Sequence, residues 1–332
     1  MTGPMLAVEG LAKSYRASRG TVRAFEDVSF AVAAGETVAL VGESGCGKTS
    51  LAKTIYRLQD ADAGSVRLAG TDITRLSRRA LRPHRRLMQM VFQDPYASLN
   101  PRLTVGRILE EPLIVHGIGD RAGRQGQVRR ALERVGLAAA AAERHPHQFS
   151  GGQRQRIGLA RALMLEPGVL LCDEPVSALD VSVQAQVLNL LAGVQEERRL
   201  AMLFISHDLG VVRHMADRVL VMYLGRIVES GPARRIFARP AHPYTRALLA
   251  AAPVPDPDVE AARPREILQG DPPSPIDPPP GCGFHPRCAF AEARCRTERP
   301  PLRTVGDRRV ACHRATGDDE ASLRLPFAPQ PH

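Results

Sequence analysis

A glycine-rich stretch at residues 42–50, GESGCGKTS, restricts the possible folds of this chain more than any other feature. It fits the pattern G-x-x-x-x-G-K-[ST], with Gly42 and Gly47 as the two glycines and Lys48 and Thr49 after them. The apolar run TVALV precedes the pattern, and SLAKTIYRL, which has the composition of a helix, follows it. A strand, a glycine-rich turn and a helix in this order are typical of a phosphate-binding loop.

The residue types in this stretch suit a nucleoside triphosphate with its metal ion. Glycines let backbone N–H groups wrap a phosphate without Cβ clashes, and the N-terminus of the following helix adds a positive dipole. The lysine supplies a point charge to the β- and γ-phosphates, and the threonine hydroxyl can ligate Mg²⁺. The predicted nucleotide-binding residues here are Gly42, Ser44, Gly45, Gly47, Lys48, Thr49 and Ser50, with Thr49 also a predicted Mg²⁺ ligand.

Two adjacent carboxylates follow a second apolar run, VLLCDEP at residues 169–175. Asp173 comes at the end of this predicted strand, where it can hold the metal ion. Glu174, one residue further on, is placed to polarise an attacking water as a general base. Together with the phosphate-binding loop, these acids predict metal-assisted hydrolysis of the triphosphate.

The remaining pattern predicts an α/β protein with a separate tail. Short apolar strands dominate residues 5 to 92, helical composition dominates 104–168, and strands then alternate with helical stretches. Such alternation favours a largely parallel sheet that is covered on both faces and interrupted by a helical insert. Sixteen of the 27 prolines lie beyond residue 250, so we expect a boundary near residues 237 to 250 and an irregular tail.

A second predicted anion site lies in FSGGQRQRIGLARAL, shortly before the carboxylates. Ser150 and Gln153 have the spacing of a capping box at the start of a helix. Gly151 and Gly152 leave backbone N–H groups bare at the positive end of that helix. One helix start is a weak signal, but its position between the phosphate-binding loop and Asp173 is informative.

This order of motifs resembles the ATP-binding cassette (ABC) ATPases along almost the whole chain. The resemblance implies a P-loop NTPase fold with a RecA-like parallel-sheet core, an N-terminal antiparallel β subdomain and an inserted α-helical subdomain. It places the ABC ATPase domain at residues 5–240, with the helical subdomain at about 94–168. Residues 241–332 would form a C-terminal region rich in cysteine and proline.

The resemblance assigns roles to four further residues. Tyr15 matches the aromatic residue that stacks on adenine, and Gln93, in MVFQDPYASLNPR, matches a glutamine that contacts the metal ion and the attacking water. Asp180, which the resemblance places among the nucleotide-binding residues, ends the SALD loop that the family exchanges across its dimer. His207, in ISHDL, matches a histidine that contacts the γ-phosphate, so Glu174, His207 and Gln93 are the predicted catalytic residues.

In the family, two cassettes bind head to tail, and each ATP lies between the phosphate-binding loop of one and the SGGQ segment of the other. The resemblance therefore implies a nucleotide-sandwich dimer, either homodimeric or heterodimeric. The SGGQ residues that would contact the partner's nucleotide are Ser150, Gly151, Gly152 and Gln153.

Four segments resemble the ATPase subunits of bacterial dipeptide and oligopeptide importers. These segments are FQDPYASLNPR, PVSALDVSVQAQVLNLL, HPYTRALLAAAP and the tail segment PSPIDPPPGCGFHPRC. PYASLNPR in particular resembles the second, F-type, of the two paralogous subunits. The resemblance implies ATP hydrolysis to ADP and phosphate, a second ATPase subunit, two permeases and an extracytoplasmic peptide-binding protein, at the cytoplasmic face of the membrane. An importer of nickel, glutathione or other small solutes is one alternative, and a soluble ABC ATPase acting on nucleic acid is another.

Charge and hydropathy bear on the last alternative. The net charge is +10, but only three of the 45 basic residues are lysines. This strong preference for arginine indicates genome-wide codon bias rather than selection for binding to a polyanion. The densest basic cluster, at residues 75–86, has no aromatic residue for base stacking, so we expect no nucleic-acid partner. No apolar run reaches the roughly 18 to 20 residues of a membrane span, and MTGPMLAVEG lacks a secretory signal, so we expect a cytoplasmic protein.

Four of the six cysteines crowd into the tail. Cys282, Cys288, Cys295 and Cys312 do not have the usual spacing of zinc ribbons or ferredoxin clusters, and disulfides are unfavourable in a reducing cytoplasm. Zinc, an iron–sulfur cluster and unligated thiols all stay open on spacing alone. The importer resemblance favours a 4Fe–4S cluster that staples the tail, while Cys46 and Cys172 are expected to be small fillers.

Overall fold

The computed structural model describes residues 3–18, 20–94, 98–177, 179–251 and 270–315. Their contacts divide the chain into two compact units. The first unit comprises Met1–Glu9, Ser29–Thr37 and Ala52–Ser206, and the second comprises Gly10–Val28, Val38–Leu51 and His207–His332.

The strands and helices are numbered in chain order. The strands are β1 (Leu6–Ala17), β2 (Gly20–Val32), β3 (Thr37–Val41), β4 (Ala63–Leu68), β5 (Thr71–Asp72), β6 (Met88–Val91), β7 (Val169–Asp173), β8 (Ala201–Ile205), β9 (Arg218–Tyr223), β10 (Arg226–Pro232), β11 (Arg303–Val305) and β12 (Arg308–Val310). The helices are α1 (Lys48–Ile55), α2 (Arg78–Leu87), α3 (Val105–His116), α4 (Arg121–Arg134), α5 (Gly151–Leu163), α6 (Val181–Arg198), α7 (Leu209–Met215), α8 (Ala233–Ala238), α9 (Pro243–Ala250) and α10 (Ala293–Thr297). In the part of the chain that the structure describes, short 3₁₀ turns lie at Ala139–Glu143, Pro146–Gln148 and His285–Arg287.

In the first unit, three parallel strands carry the predicted acidic residues to one edge. Strand β6 pairs with β7, and β7 pairs with β8, both in parallel. Every residue of β7 and β8 is buried, which explains their unbroken apolar sequences. Asp173 and Ile205 are register partners at the carboxyl ends, so the residues after β7 and β8 begin side by side.

The first unit also contains antiparallel strands and a helical region. Strands β4 and β5 form an antiparallel pair. Helices α3, α4 and α5 pack around one apolar cluster, because their buried residues recur at helical spacing. The buried members of this cluster include Val105, Ile108, Leu109, Leu113, Val128, Leu132, Phe149 and Ile157.

The helical insert expected from sequence is therefore present, with α3 to α5 between Val105 and Leu163. Its limits of about 94–168, like the domain limits 5–240 and 241–332, stay predictions. Part of the PYASLNPR segment, residues 95–97, lies outside the described residues, as do 252–269 and 316–332 of the tail. Among the described residues, no helix has the length and apolar character to cross a membrane.

In the second unit, the tail contributes strands to the sheet. Strands β3 and β9 pair in parallel, whereas β10 pairs antiparallel with both β9 and β12. Strand β12 also forms a hairpin with β11. These two tail strands have three residues each, so the sequence held too little alternation to reveal them, and the tail is more regular than expected.

A buried carboxylate on β10 fastens the tail to this sheet. Glu229 is fully buried and accepts hydrogen bonds from the backbone N–H groups of Ala241 and His242, both at 2.9 Å. Its Oε1 also lies 3.6 Å from Nη1 of Arg308, a buried residue of β12. A buried charge is tolerated only when it is paired and hydrogen-bonded. The burial of Glu229 therefore depends on Arg308 and on the two N–H groups, and the burial of Arg308 depends on Glu229.

We predict that Glu229→Ala destabilises the protein by about 3–5 kcal/mol, since it removes the buried carboxylate beside Arg308 and leaves the N–H groups of Ala241 and His242 without their acceptor. The matched control is Glu111→Ala, which breaks an exposed pair with Arg161 and should cost less than about 1 kcal/mol. Urea unfolding followed by far-ultraviolet circular dichroism measures both, because the chain has no tryptophan. Equal effects of the two substitutions would contradict the prediction.

Candidate nucleotide-hydrolysis site

The glycine-rich loop runs from the end of β3 to the start of α1, as the sequence predicts. Gly42 and Gly47 have backbone φ angles of +156° and +107°. A Cβ atom at Gly42 would lie 2.2 Å from the carbonyl oxygen of Met222, and one at Gly47 would lie 2.1 Å from that of Ala24. Both positions therefore require glycine for conformation and for space.

Lys48 places its charge inside this loop. The residue is buried, and its Nζ donates hydrogen bonds to the carbonyl oxygens of Gly42 at 2.8 Å and Glu43 at 2.9 Å. Neutral carbonyl partners leave the positive charge of the ammonium group uncompensated within the loop. A largely desolvated cation beside backbone N–H groups is a favourable environment for a phosphate group.

In the first unit, the structure brings the predicted general base into contact with a predicted partner. Glu174 follows β7, is partly exposed, and has a φ of +47°, a left-handed conformation that is costly for a residue with a side chain. The backbone N–H of Glu174 donates to Ile205 at 3.0 Å, which holds the turn in place. Gln93, which follows the adjacent strand β6, donates from Nε2 to Oε2 of Glu174 at 3.0 Å.

This arrangement suits proton abstraction next to a metal ion. Asp173 is buried at the end of β7, directly before the partly exposed Glu174. The amide of Gln93 orients the Glu174 carboxylate without neutralising it, so the carboxylate keeps its capacity to accept a proton from water. Strained backbone of this kind is concentrated at functional sites, which agrees with the role predicted for Glu174.

The SGGQ segment begins helix α5 with the predicted capping box. The Ser150 hydroxyl accepts from the Gln153 N–H at 3.3 Å, and the Gln153 side chain accepts from the Ser150 N–H at 3.1 Å. The two glycines differ in their surroundings. A Cβ at Gly151 would approach only Leu179, at 3.9 Å, whereas a Cβ at Gly152 would lie 2.1 Å from a methyl group of Val183.

The side chains of the other predicted residues are exposed or partly buried. Asp180 precedes α6 and is exposed, as is the next residue, Val181, while His207 is exposed just after β8. Tyr15 is partly buried on β1, with the ammonium group of Lys13 at 5.5 Å from its ring centre. Ser44 and Gly45 are exposed, and Thr49 and Ser50 are partly buried at the start of α1.

The predicted residues are divided between the units. The first unit contains Gln93, Ser150, Gly151, Gly152, Gln153, Asp173, Glu174 and Asp180, and the second contains Tyr15, His207 and the loop residues 42–50. Within the first unit, Gln93 is hydrogen-bonded to Glu174. Within the second unit, Lys48 is hydrogen-bonded to the backbone of its own loop. Their roles in catalysis stay predictions.

The four tail cysteines line one small cavity in the second unit, which we call the cysteine pocket. Its walls are formed by Cys282, Cys288, Cys295 and Cys312 together with His242, Phe284, His285 and Phe290. All six cysteines of the chain are free thiols, and Cys46 and Cys172 are buried, as expected of fillers. Burial raises the pKa of the Cys288 thiol to about 11, and it lowers the pKa of His242 to about 3.

The side chains that line the cysteine pocket are of the types that bind a soft metal ion, but they are not arranged around a common metal position. Four thiols that face one cavity suit zinc or an iron–sulfur cluster. Within the part of the chain that the structure describes, however, no group of three or more His, Cys, Asp or Glu side chains is arranged to hold a metal ion. The cluster expected from the resemblance therefore stays a prediction.

Sequence reasoning missed three residues around the phosphate-binding loop. Arg287 forms a two-pronged ion pair with the Glu43 carboxylate, with N–O distances of 2.8 and 3.0 Å. The hydroxyl of Tyr244 accepts a hydrogen bond from the Glu43 N–H at 2.9 Å. The segments HPYTRALLAAAP and GCGFHPRC, which contain Tyr244 and Arg287, were informative only as a resemblance, because nothing local links them to a loop 200 residues earlier.

Comparison with known proteins decides the family. Residues 25–177 match the family model described as ABC transporter, and residues 228–295 match the model described as oligopeptide/dipeptide transporter, C-terminal region. A probable peptide ABC transporter ATP-binding protein of Sinorhizobium fredii is 53% identical over 100% of this chain and 98% of its own. The chain belongs to the ABC transporter ATP-binding proteins.

Further comparisons agree with this assignment. A di/tripeptide transport ATP-binding protein of Pseudomonas aeruginosa, DppF, is 51% identical over 94% of this chain and 98% of its own. The dimeric ATP-binding cassette MJ0796, solved in a post-hydrolysis state with ADP and phosphate, has a TM-score of 0.64 at 29% identity, over 69% of this chain and 99% of that one. The expected ABC ATPase fold and the resemblance to peptide-importer subunits are thus confirmed, and so is the expected ATPase class.

Proposed function

We propose that the chain is the ATP-hydrolysing subunit that powers import of dipeptides or oligopeptides across the cytoplasmic membrane. The contact between Gln93 and Glu174 at the end of two parallel strands supports the hydrolytic part. Relatives named as peptide or di/tripeptide ATP-binding proteins, with which the chain aligns over nearly its whole length, support the peptide part. The C-terminal region match, at residues 228–295, points to the same substrate class.

In this proposal the loop and the acids divide the chemistry. Lys48 and the loop N–H groups bind the β- and γ-phosphates, and Thr49, Asp173 and Gln93 would hold Mg²⁺, which would neutralise negative charge on the phosphate oxygens. Glu174 takes a proton from water as the water oxygen attacks the γ-phosphorus, and the bond to the β-phosphate oxygen breaks to release ADP. Tyr15 stacks on adenine, and His207 contacts the γ-phosphate.

The assembly follows from the exposed elements of the site. Ser150, Gly151, Gly152 and Gln153 contact the nucleotide of a second ATPase subunit, and Asp180 lies at the dimer boundary. The surroundings of Gly151 support this role: a Cβ there would meet only Leu179, at 3.9 Å, so a phosphate group has room to approach the helix N-terminus. Two permeases and an extracytoplasmic peptide-binding protein complete the importer, with this chain at the cytoplasmic face and no nucleic-acid partner.

The cysteine pocket completes the proposal. Cys282, Cys288, Cys295 and Cys312 would hold a 4Fe–4S cluster, with Zn²⁺ as the alternative, and the four thiols lining one cavity support this assignment. When bound, such a centre contributes folding free energy to a segment with little apolar content. Its role is structural: it stabilises the segment that contains Phe284 and Arg287.

The catalytic roles predict distinct effects for two substitutions. Glu174→Gln should bind ATP but hydrolyse it about 10²- to 10⁴-fold more slowly, because the general base is lost. Lys48→Ala should instead weaken ATP binding itself, because the loop loses its charge. ATP binding by calorimetry and phosphate release from the complete ATPase pair separate the two effects.

The matched control for Glu174→Gln is Glu166→Gln. Glu166 is another glutamate of the first unit with a left-handed backbone, φ +50°, but it is exposed and pairs with Arg198. It should keep normal turnover. Normal turnover by Glu174→Gln would overturn its assignment as general base.

The two glycines of the SGGQ segment provide a test of the nucleotide sandwich. In a Glu174→Gln background, ATP should hold two cassettes together. Because the variant hydrolyses ATP far more slowly, the nucleotide stays bound at the interface and continues to stabilise the dimer. Gly151→Val should abolish this dimer at a cost in stability smaller than that of Gly152→Ala, since a Cβ at Gly151 makes only an ordinary van der Waals contact with Leu179. Gly152→Ala should lower stability by about 1–3 kcal/mol, because its Cβ overlaps Val183.

Light scattering with and without ATP measures the dimer, and it should include the cognate second ATPase subunit. A dimer that persists in the Gly151→Val protein, or one that is insensitive to ATP, would argue against the sandwich.

The metal assignment predicts a brown protein after anaerobic purification, with about four irons per chain. Cys288→Ser should lose the visible absorbance, whereas Cys172→Ser, away from the cysteine pocket, should keep it. If the protein is colourless and contains one equivalent of zinc, the bound metal is zinc rather than the cluster, and the proposed structural role still holds. Protein with neither metal would overturn both.

A further inference from the structure

One ion pair joins the tail to the phosphate-binding loop within the second unit. The guanidinium of Arg287 donates from both Nη atoms to the two carboxylate oxygens of Glu43. The Arg287 side chain is 6% exposed and that of Glu43 is 23% exposed, so water screens this pair little. Two-pronged geometry is the strongest form of an arginine–carboxylate contact, and Glu43 accordingly raises the pKa of Arg287 above its ordinary value.

A second tail residue holds the backbone of the same loop residue. Tyr244 is fully buried, and its hydroxyl accepts the hydrogen bond of the Glu43 N–H. The Glu43 carbonyl oxygen, in turn, accepts one of the two loop hydrogen bonds of Lys48. The tail therefore contacts the side chain and the N–H of a residue whose carbonyl group positions the buried lysine.

The position of the guanidinium depends on how the tail is folded. Arg287 ends the short 3₁₀ turn His285–Arg287 and directly precedes Cys288 of the cysteine pocket. Phe284, at the start of that turn, packs its ring against the rings of Tyr223 and Tyr244, with centre distances of 5.3 and 5.5 Å. An aromatic cluster and the cysteine segment thus set the direction of Arg287.

We propose that Arg287 and Tyr244 are positioning residues for the phosphate-binding loop, through which the folded tail sets the affinity of the cassette for ATP. The proposal rests on the proposed role of residues 42–50 in binding ATP. Arg287 neutralises a carboxylate that belongs to the loop itself, and Tyr244 fixes the N–H of the same residue.

The physical reason is electrostatic. Glu43 is the second residue of a loop that must attract a triphosphate, so its carboxylate opposes binding unless a cation compensates it. Burial is the main reason that the pKa of the Cys46 thiol, inside the loop, is raised, and the Glu43 charge acts in the same direction. Arg287, rather than Lys48, supplies the compensation, which leaves the Lys48 charge available to phosphate.

The test uses two tail variants and one double variant of tail and loop, each in the full chain and assembled with the cognate second ATPase subunit. Arg287→Met keeps an unbranched apolar stem but removes the charge, and it should raise the dissociation constant for ATP about 3- to 30-fold. Tyr244→Phe, which keeps the ring in its aromatic cluster, should raise it less. The double variant Arg287→Met/Glu43→Gln should recover ATP affinity to near the wild-type value, because it no longer carries an unpaired carboxylate.

The matched control is Arg235→Met, which breaks the partly exposed pair of Arg235 with Asp307, a tail residue distant in sequence from the loop. It should leave ATP affinity unchanged. Calorimetric titration with ATP gives the dissociation constants, and circular dichroism checks that each variant is folded.

The outcomes separate this proposal from the proposed function. Failure of the wild-type protein to bind ATP would overturn the proposed function. Wild-type binding together with unchanged affinity in folded Arg287→Met would overturn only the positioning role. Weakened affinity that Glu43→Gln does not restore would also overturn it, because a general loss of tail structure would not be cured by removal of the Glu43 charge.

Discussion

The structure depends most on a positive charge that is buried without a neutralising partner in its own loop. The ammonium group of Lys48 is held by two carbonyl oxygens of residues 42 and 43, and carbonyl groups supply no net charge. Burial of such a group costs free energy that the loop must offset through hydrogen bonds. The loop can follow the required path only because Gly42 and Gly47 approach the backbone of Met222 and Ala24 so closely.

The acidic half of the chemistry depends on a different constraint, the register of parallel strands. Strands β6, β7 and β8 end together, so Gln93 and Glu174 come from neighbouring strand ends and meet directly. The left-handed backbone at Glu174 turns its side chain away from the fully buried path of β7. Buried apolar strands thus supply a rigid frame, and a single costly backbone conformation supplies the exposed carboxylate.

Local patterns could predict the parts of this molecule that are encoded within a few residues. The glycine-rich loop, the capping box of Ser150 and Gln153 and the acid pair after β7 each occupy one short stretch, and each has a fixed geometry. The pairing of Glu43 with Arg287 could not be predicted, since 244 residues separate them. The same reason explains why the contrast between Gly151 and Gly152, which depends on Leu179 and Val183, needs coordinates.

The tail contacts the sheet and the phosphate-binding loop through a series of specific buried side chains. Glu229, buried on β10, binds the backbone before α9 and the Arg308 side chain from β12, and so joins two separate parts of the tail to the sheet. That attachment places Tyr244 and the aromatic cluster where Phe284 can pack against them. Phe284 then directs Arg287 onto the phosphate-binding loop. Because each step is a buried contact within one unit, loss of order at the cysteine pocket has a short physical route to Glu43 and Lys48.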